Sequence, residues 1–128
     1  MRNKPRFSEH NLELEIAEWL ESTGVKARRQ PWLESGIPDI MTDDWVIEVK
    51  HTLTRQNIFQ ATGQMLIYIQ DYPEKRGMIL GLESTSIVSA KAGELLLPYV
   101  RRLGLAIEYW AEDKSVILNH FKSIAQRS

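Results

Sequence analysis

The chain has no cysteine, and that absence removes disulfides, thiolate zinc sites and thiol nucleophiles together. Any chemistry must come from carboxylates, lysine, histidine, hydroxyls or amides. Charge of one sign is not in excess either: 16 Lys and Arg face 17 Asp and Glu, so a nucleic-acid partner has to be argued from local patches or a metal. No apolar run approaches the roughly 20 residues of a membrane helix. The basic start MRNKPRF leads into an amphipathic, Glu-rich segment, unlike the apolar stretch of a signal peptide, and the expectation is a cytoplasmic protein. Repeats, linkers and low-complexity tracts are missing too. A length of 128 residues at 43% hydrophobic and 26% charged content fits one globular domain, 1–128.

Ser8 is placed to cap a first helix whose apolar residues Leu12, Ile16, Trp19 and Leu20 recur at helical spacing until Gly24. VKARRQPW, 25–32, suggests a short strand or extended arm, with Pro31 near an edge or end. Ile37 to Met41 and Trp45 to Lys50 are two apolar runs around Thr42, Asp43 and Asp44, which predicts a β-hairpin. QNIFQATGQMLIYIQ, 56–70, predicts a helix with Ile58, Phe59, Thr62, Met65, Leu66 and Ile69 on one broad face. Gly63 within it is expected to admit a close neighbour. MILGL, 78–82, reads as a buried strand, and 90–103 as a helix kinked or broken at Pro98. AIEYW, 106–110, and the SVIL run from Ser115 read as two further strands, with 119–128 a short helix or a frayed end. Strands interleaved with helices indicate an α/β or α+β layered domain with a mixed sheet.

Charge sits where burial is expected in GIPDIMTDDWVIEVKH, 36–51. Alternate side chains of a strand share a face, so Glu48 and Lys50 project together while Ile47 and Val49 turn to the core. Asp39 on the opposing strand can approach Glu48 if the register brings the polar ends together. Two carboxylates form a feasible oxygen site for Mg²⁺. A protonated lysine beside them cannot ligate a metal, but it can orient water or steady charge on a phosphate.

Pro38 and Asp39, eight intervening residues, then Glu48, Val49 and Lys50 resemble the PD-(D/E)XK motif of the restriction-endonuclease-like nuclease superfamily. The resemblance implies an αβββαβ core, a central mixed sheet flanked by helices, and DNA phosphodiester hydrolysis with Mg²⁺ or Mn²⁺. It makes Asp39 and Glu48 metal ligands with the Val49 carbonyl as a third, and puts Lys50 on the water or phosphate. A glutamate of the first helix often joins such sites. Glu13 is preferred over Glu9, Glu15 and Glu18, because archaeal Holliday-junction resolvases carry one at a similar distance before a helix-ending glycine. Gln60, Gln64 and Tyr68 follow at four-residue steps along one helix stripe. Gln64 to Tyr68 resembles the QxxxY signature of exonuclease-type members, which implies that Gln64 helps hold the site and that Tyr68 reaches DNA.

Plainer readings stand beside these. Asp39 could serve as a turn or cap residue after Pro38, and Glu48 and Lys50 could form the solvated face of a half-exposed strand. The glutamates of the first helix could be an acidic surface, and Trp32 could be core. His51 points away from Lys50, and His10 and His120 have no partner at ligand spacing. The pairs Arg28 and Arg29, Lys75 and Arg76, and Arg101 and Arg102 suit phosphates or simple solubility. The arm with Arg28, Arg29 and Trp32 is the expected DNA contact, with Gln60 and Tyr68 beside it. The expectation is a DNA endonuclease, small enough to act as a homodimer. The rivals are an inactive nuclease-fold module that binds nucleic acid or assembles with other proteins, and a nuclease subunit whose partner supplies recognition.

Overall fold

The computed structural model describes residues 8–127, with side chains to Lys122. Helix α1 spans Glu9–Ser22, and Ser8 caps it as expected, its hydroxyl accepting from the Asn11 N–H at 3.1 Å. Strand β1 is only Arg28–Arg29, shorter than the predicted arm, and β2 is Ile40–Met41. Then come β3, Trp45–Thr52, α2, Arg55–Tyr68, and β4, Arg76–Leu82. The five strands lie side by side in chain order. The first three pair antiparallel, whereas β3, β4 and β5, Ala106–Tyr109, run parallel. The hairpin turn is held by the Thr42 hydroxyl, which accepts from the N–H groups of Asp44 and Trp45.

The alternation of β3 sorts the interior into two layers. Trp45, Ile47 and Val49 pack with Leu12, Ile16 and Leu20 of α1 and with Ile117 and Phe121 beyond β5. Val46 faces the other side, with Ile58, Ala61 and Met65 of α2 and with Leu97 and Val100. The result is a mixed α/β sandwich with the sheet in the middle.

The break expected at Pro98 is present: 90–103 falls in two helices, α3, Ile87–Glu94, and α4, Leu97–Arg102, because Pro98 is tolerated in the first turn of α4 and not within a longer helix. Two other expectations change. The SVIL run is not a strand: α5 is Ser115–Arg127. Asp113 accepts from the Ser115 N–H at 3.0 Å, and Ile117 and Phe121, one turn apart, dock on the sheet, so tertiary packing overrides the strand preference of a β-branched run. Phe59, placed by periodicity on the inner face of α2, is 55% exposed, and Ala61 and Tyr68 are buried instead.

The close approach expected at Gly63 occurs at Gly93. A Cβ on Gly93 would overlap the Leu53 carbonyl, whereas one on Gly63 would meet nothing within 4 Å. Gly93→Ala is therefore expected to destabilise by about 1–3 kcal/mol through overpacking. Gly63→Ala is expected to stabilise by about 0.5–1 kcal/mol, since alanine suits an open helix position better. Urea unfolding of both variants beside the parent chain measures the two opposite shifts.

Candidate active site

The hairpin register sets the geometry. Ile40 pairs with Ile47 and Met41 with Val46, so Asp39, one residue before Ile40, stands level with Glu48. The Val49 N–H donates to Asp39 Oδ2 at 2.7 Å and pins that carboxylate across the strands. Glu48 and Lys50 share the face of Val46, toward α2. Neither is a solvated surface residue: Glu48 is 4% exposed and Lys50 7%. Asp39, Glu48 and Lys50 are thus brought together at the inner end of β3.

Burial without full pairing leaves both carboxyls electrostatically unsettled. Asp39 is pushed up to about 7, first by desolvation and then by the charges of Glu13 and Glu9, against the Val49 N–H, which favours the anion. Glu48 is pushed up to about 8 by desolvation and by Asp39, only partly offset by Lys50. Glu48 Oε1 is buried with no hydrogen-bond partner. Lys50 does not form an ion pair with either carboxylate; its Nζ donates to Gln60 Oε1 at 3.0 Å.

Helix α1 contributes more than one glutamate. Glu13 is 4% exposed and accepts from Arg29 Nε at 2.8 Å and, more weakly, from the Gln30 amide. Gln30 adopts φ 51, unusual for a residue with a Cβ, which lets its side chain turn back to Glu13. Glu9, passed over in the sequence, accepts from the His51 N–H at 3.0 Å, and its charge reaches both Asp39 and Glu48. Its signal was present, since Glu9 and Glu13 are one turn apart on the same stripe of α1. Glu15 is engaged elsewhere, accepting from the Trp110 indole at 2.8 Å.

From α2, Gln60 reaches Lys50, and Gln64 has a buried carbonyl oxygen without a partner. Tyr68 is raised by burial and then by Glu48 and Asp39, and its ring lies against Gly36, where a Cβ would come within 2.8 Å. The stripe Gln60, Gln64 and Tyr68 therefore runs beside the carboxylates. Arg28 and Arg29 separate: Arg29 faces α1 and Glu13, so its Nε is committed to that pair, while Arg28 lies on the opposite face. Trp32 is 85% exposed and is not core. Among the described residues no three Asp, Glu or His side chains are grouped as a metal site, so the side chains at the β3 end supply two carboxylates.

No protein-family model and no curated protein matches the chain. Among solved structures it is similar to the crystal structure of a repair endonuclease from Pyrococcus abyssi, at a TM-score of 0.55 and 20% identity. The match covers 88% of this chain and 50% of that one, so this chain spans about half its length. At that identity the likeness is one of fold, and the carboxylates, lysine and glutamines described above sit on an α/β scaffold similar to that of the archaeal structure.

Proposed function

We propose that the chain is a Mg²⁺- or Mn²⁺-dependent nuclease of the PD-(D/E)XK kind that hydrolyses DNA phosphodiester bonds endonucleolytically. The observation that carries this reading is the convergence of half-buried Asp39 with buried Glu48 and Lys50 at the inner end of β3, with the lysine on an amide and not on a carboxylate. The order of elements around it supports the same reading, with α1 before the hairpin and α2 directly after it.

The residues fit a divalent cation. Glu48 Oε1 is orphaned, both carboxyls are raised by burial and by each other, and all side-chain donors are oxygens, as Mg²⁺ prefers. Asp39 and Glu48 would hold the ion with the Val49 carbonyl as third protein ligand, and Glu13 and Glu9 would add negative charge behind them. A bound cation would polarise a phosphate oxygen and lower the pKa of water. The chain's own groups do the rest. The Val49 N–H fixes the Asp39 carboxylate, Gln60 holds the Lys50 ammonium where it can orient water or meet a phosphate oxygen, and the core excludes bulk water from the strand end.

Asp39→Asn, Glu48→Gln and Lys50→Ala are each expected to lower cleavage about 10²–10³-fold. The assay incubates the purified protein and its variants with Mg²⁺ or Mn²⁺ and linear, nicked, single-stranded, flapped and four-way-junction DNA. Unchanged cleavage in both carboxylate variants would sink the proposal.

The raised carboxyls also make a metal-free prediction. Their ordinary values are 3.8 and 4.5 and their folded values about 7 and 8, so between about pH 4 and pH 8 the fold binds more protons than the unfolded chain. This contribution to stability is present below pH 4 and is lost as the pH rises through 8. In chelator, Glu48→Gln is expected to melt several degrees above the parent at pH 8 and close to it at pH 5. Mn²⁺ is expected to raise the parent's Tm at pH 8 and to leave that of Asp39→Asn unmoved, in scanning calorimetry of both proteins. The rival reading of an inactive module predicts no Mn²⁺ effect on either.

A further inference from the structure

The alternation that gives Arg29 to Glu13 turns Arg28 the other way. Arg28 pairs with Met41, which pairs with Val46, and these share the sheet face of Asp39 and Glu48. Arg28 lines a cleft of about 430 Å³ with Lys26, Met41, Thr42, Tyr72 and Lys75. Basic residues far apart in the chain, Lys26 and Arg28 on one side and Lys75 on the other, thus contribute to one concavity. Lys75 is anchored there, its Nζ donating to the carbonyls of Thr42 and Asp43 while lying over the Tyr72 ring. Among the described residues the side chains of Lys26 and Arg28 have no hydrogen-bond or ion-pair partner. Asp43 is the one carboxylate in the lining, so the cleft carries a net positive charge.

The cleft lies close to the carboxylates. Met41 is two residues from Asp39 along the same chain, about 7 Å in extended backbone. Three cations on one side and two carboxylates on the other form a polarity that a polyanionic strand can follow: its backbone is attracted at the cleft and repelled from the carboxylates until a cation neutralises them.

We propose that this cleft seats a backbone phosphate of the nucleic acid, with Arg28 and Lys26 as the contacting groups and Lys75 as a fixed positive charge between the hairpin turn and Tyr72. The inference rests on the nucleic-acid reading of the site and adds where the strand is held away from the bond that is cut. Arg28 and Lys26 are positioning residues for that strand. They contact a phosphate and carry no base information, so their loss acts alike on all sequences.

The test measures binding by fluorescence anisotropy with fluorescein-labelled single-stranded and duplex oligonucleotides, using the full chain carrying Glu48→Gln so that nothing is cut. Between about 50 and 200 mM salt, Lys26→Ala and Arg28→Ala are each expected to weaken binding and to reduce the slope of log affinity against log salt by about 0.7–0.9. Arg28→Glu is expected to weaken binding further. Lys91→Ala, on exposed α3, serves as the control and is expected to keep the parent slope. Circular dichroism of each variant confirms folding. Parent slopes in the folded Lys26 and Arg28 variants would overturn the proposal, as would a parent chain that binds no oligonucleotide. If the slopes fall as expected but no DNA is cut with either metal, the cleft stands and the nuclease reading fails. If DNA is cut and the slopes do not move, the nuclease reading stands and the cleft does not.

Discussion

Everything at the centre of this molecule depends on holding two carboxyls beside each other, Glu48 buried and Asp39 half-buried. Asp39 and Glu48 face one another because Ile40 is level with Ile47, and that register holds because Ile40, Ile47 and Val49 bury against α1. A slip of one residue would send Glu48 and Lys50 into the α1 layer and expose the apolar residues. The apolar face thus fixes the position of the polar one. The cost of desolvating the carboxyls falls on the whole domain, and the raised proton affinities of Asp39 and Glu48 are its local sign.

How much of this was legible in the sequence depends on the range of the interaction. The facing of Glu48 and Lys50 follows from strand alternation over three residues, and the hairpin from a turn of Thr and Asp, so both could be read directly. The helix stripe of Gln60, Gln64 and Tyr68 was legible for the same reason. Depth was not legible, because it is supplied by remote elements: Ile58, Ala61 and Met65 close one face and Leu12 and Ile16 the other. A plain reading of Glu48 and Lys50 as a solvated strand face was reasonable until those helices were in place.

The errors share that cause. Ser115 to Leu118 is β-branched enough to look like a strand, but nothing local reveals that Ile117 and Phe121 will find the sheet one turn apart. Gly63 and Gly93 are both helical, and only the path of the chain through Leu53 separates the crowded one from the open one. The partners of the α1 glutamates are likewise set by remote elements. Glu9 and Glu13 share a stripe, and it is the arrival of His51 and Arg29 from elsewhere in the chain that gives each its partner.

The way the charges are partnered carries the functional argument furthest. A fold that needed only to tolerate Glu48 at 4% exposure would pair it with the lysine two residues away, since an uncompensated buried charge is among the costliest features a core can hold. Here Lys50 is instead held by the neutral Gln60, Asp39 by a backbone N–H, and Arg29 is drawn off to Glu13. The lysine and the carboxyls are kept side by side without an ion pair, and the carboxyls relieve the cost by holding protons up to about pH 7 and 8. That separation lowers stability, and it leaves both signs available to a third group that has an anionic side for the lysine and a cation for the carboxylates. On the nuclease reading proposed above that group is a phosphodiester with its divalent metal, and the basic cleft beside Met41 would extend the same separation along the sheet face toward the rest of the bound strand.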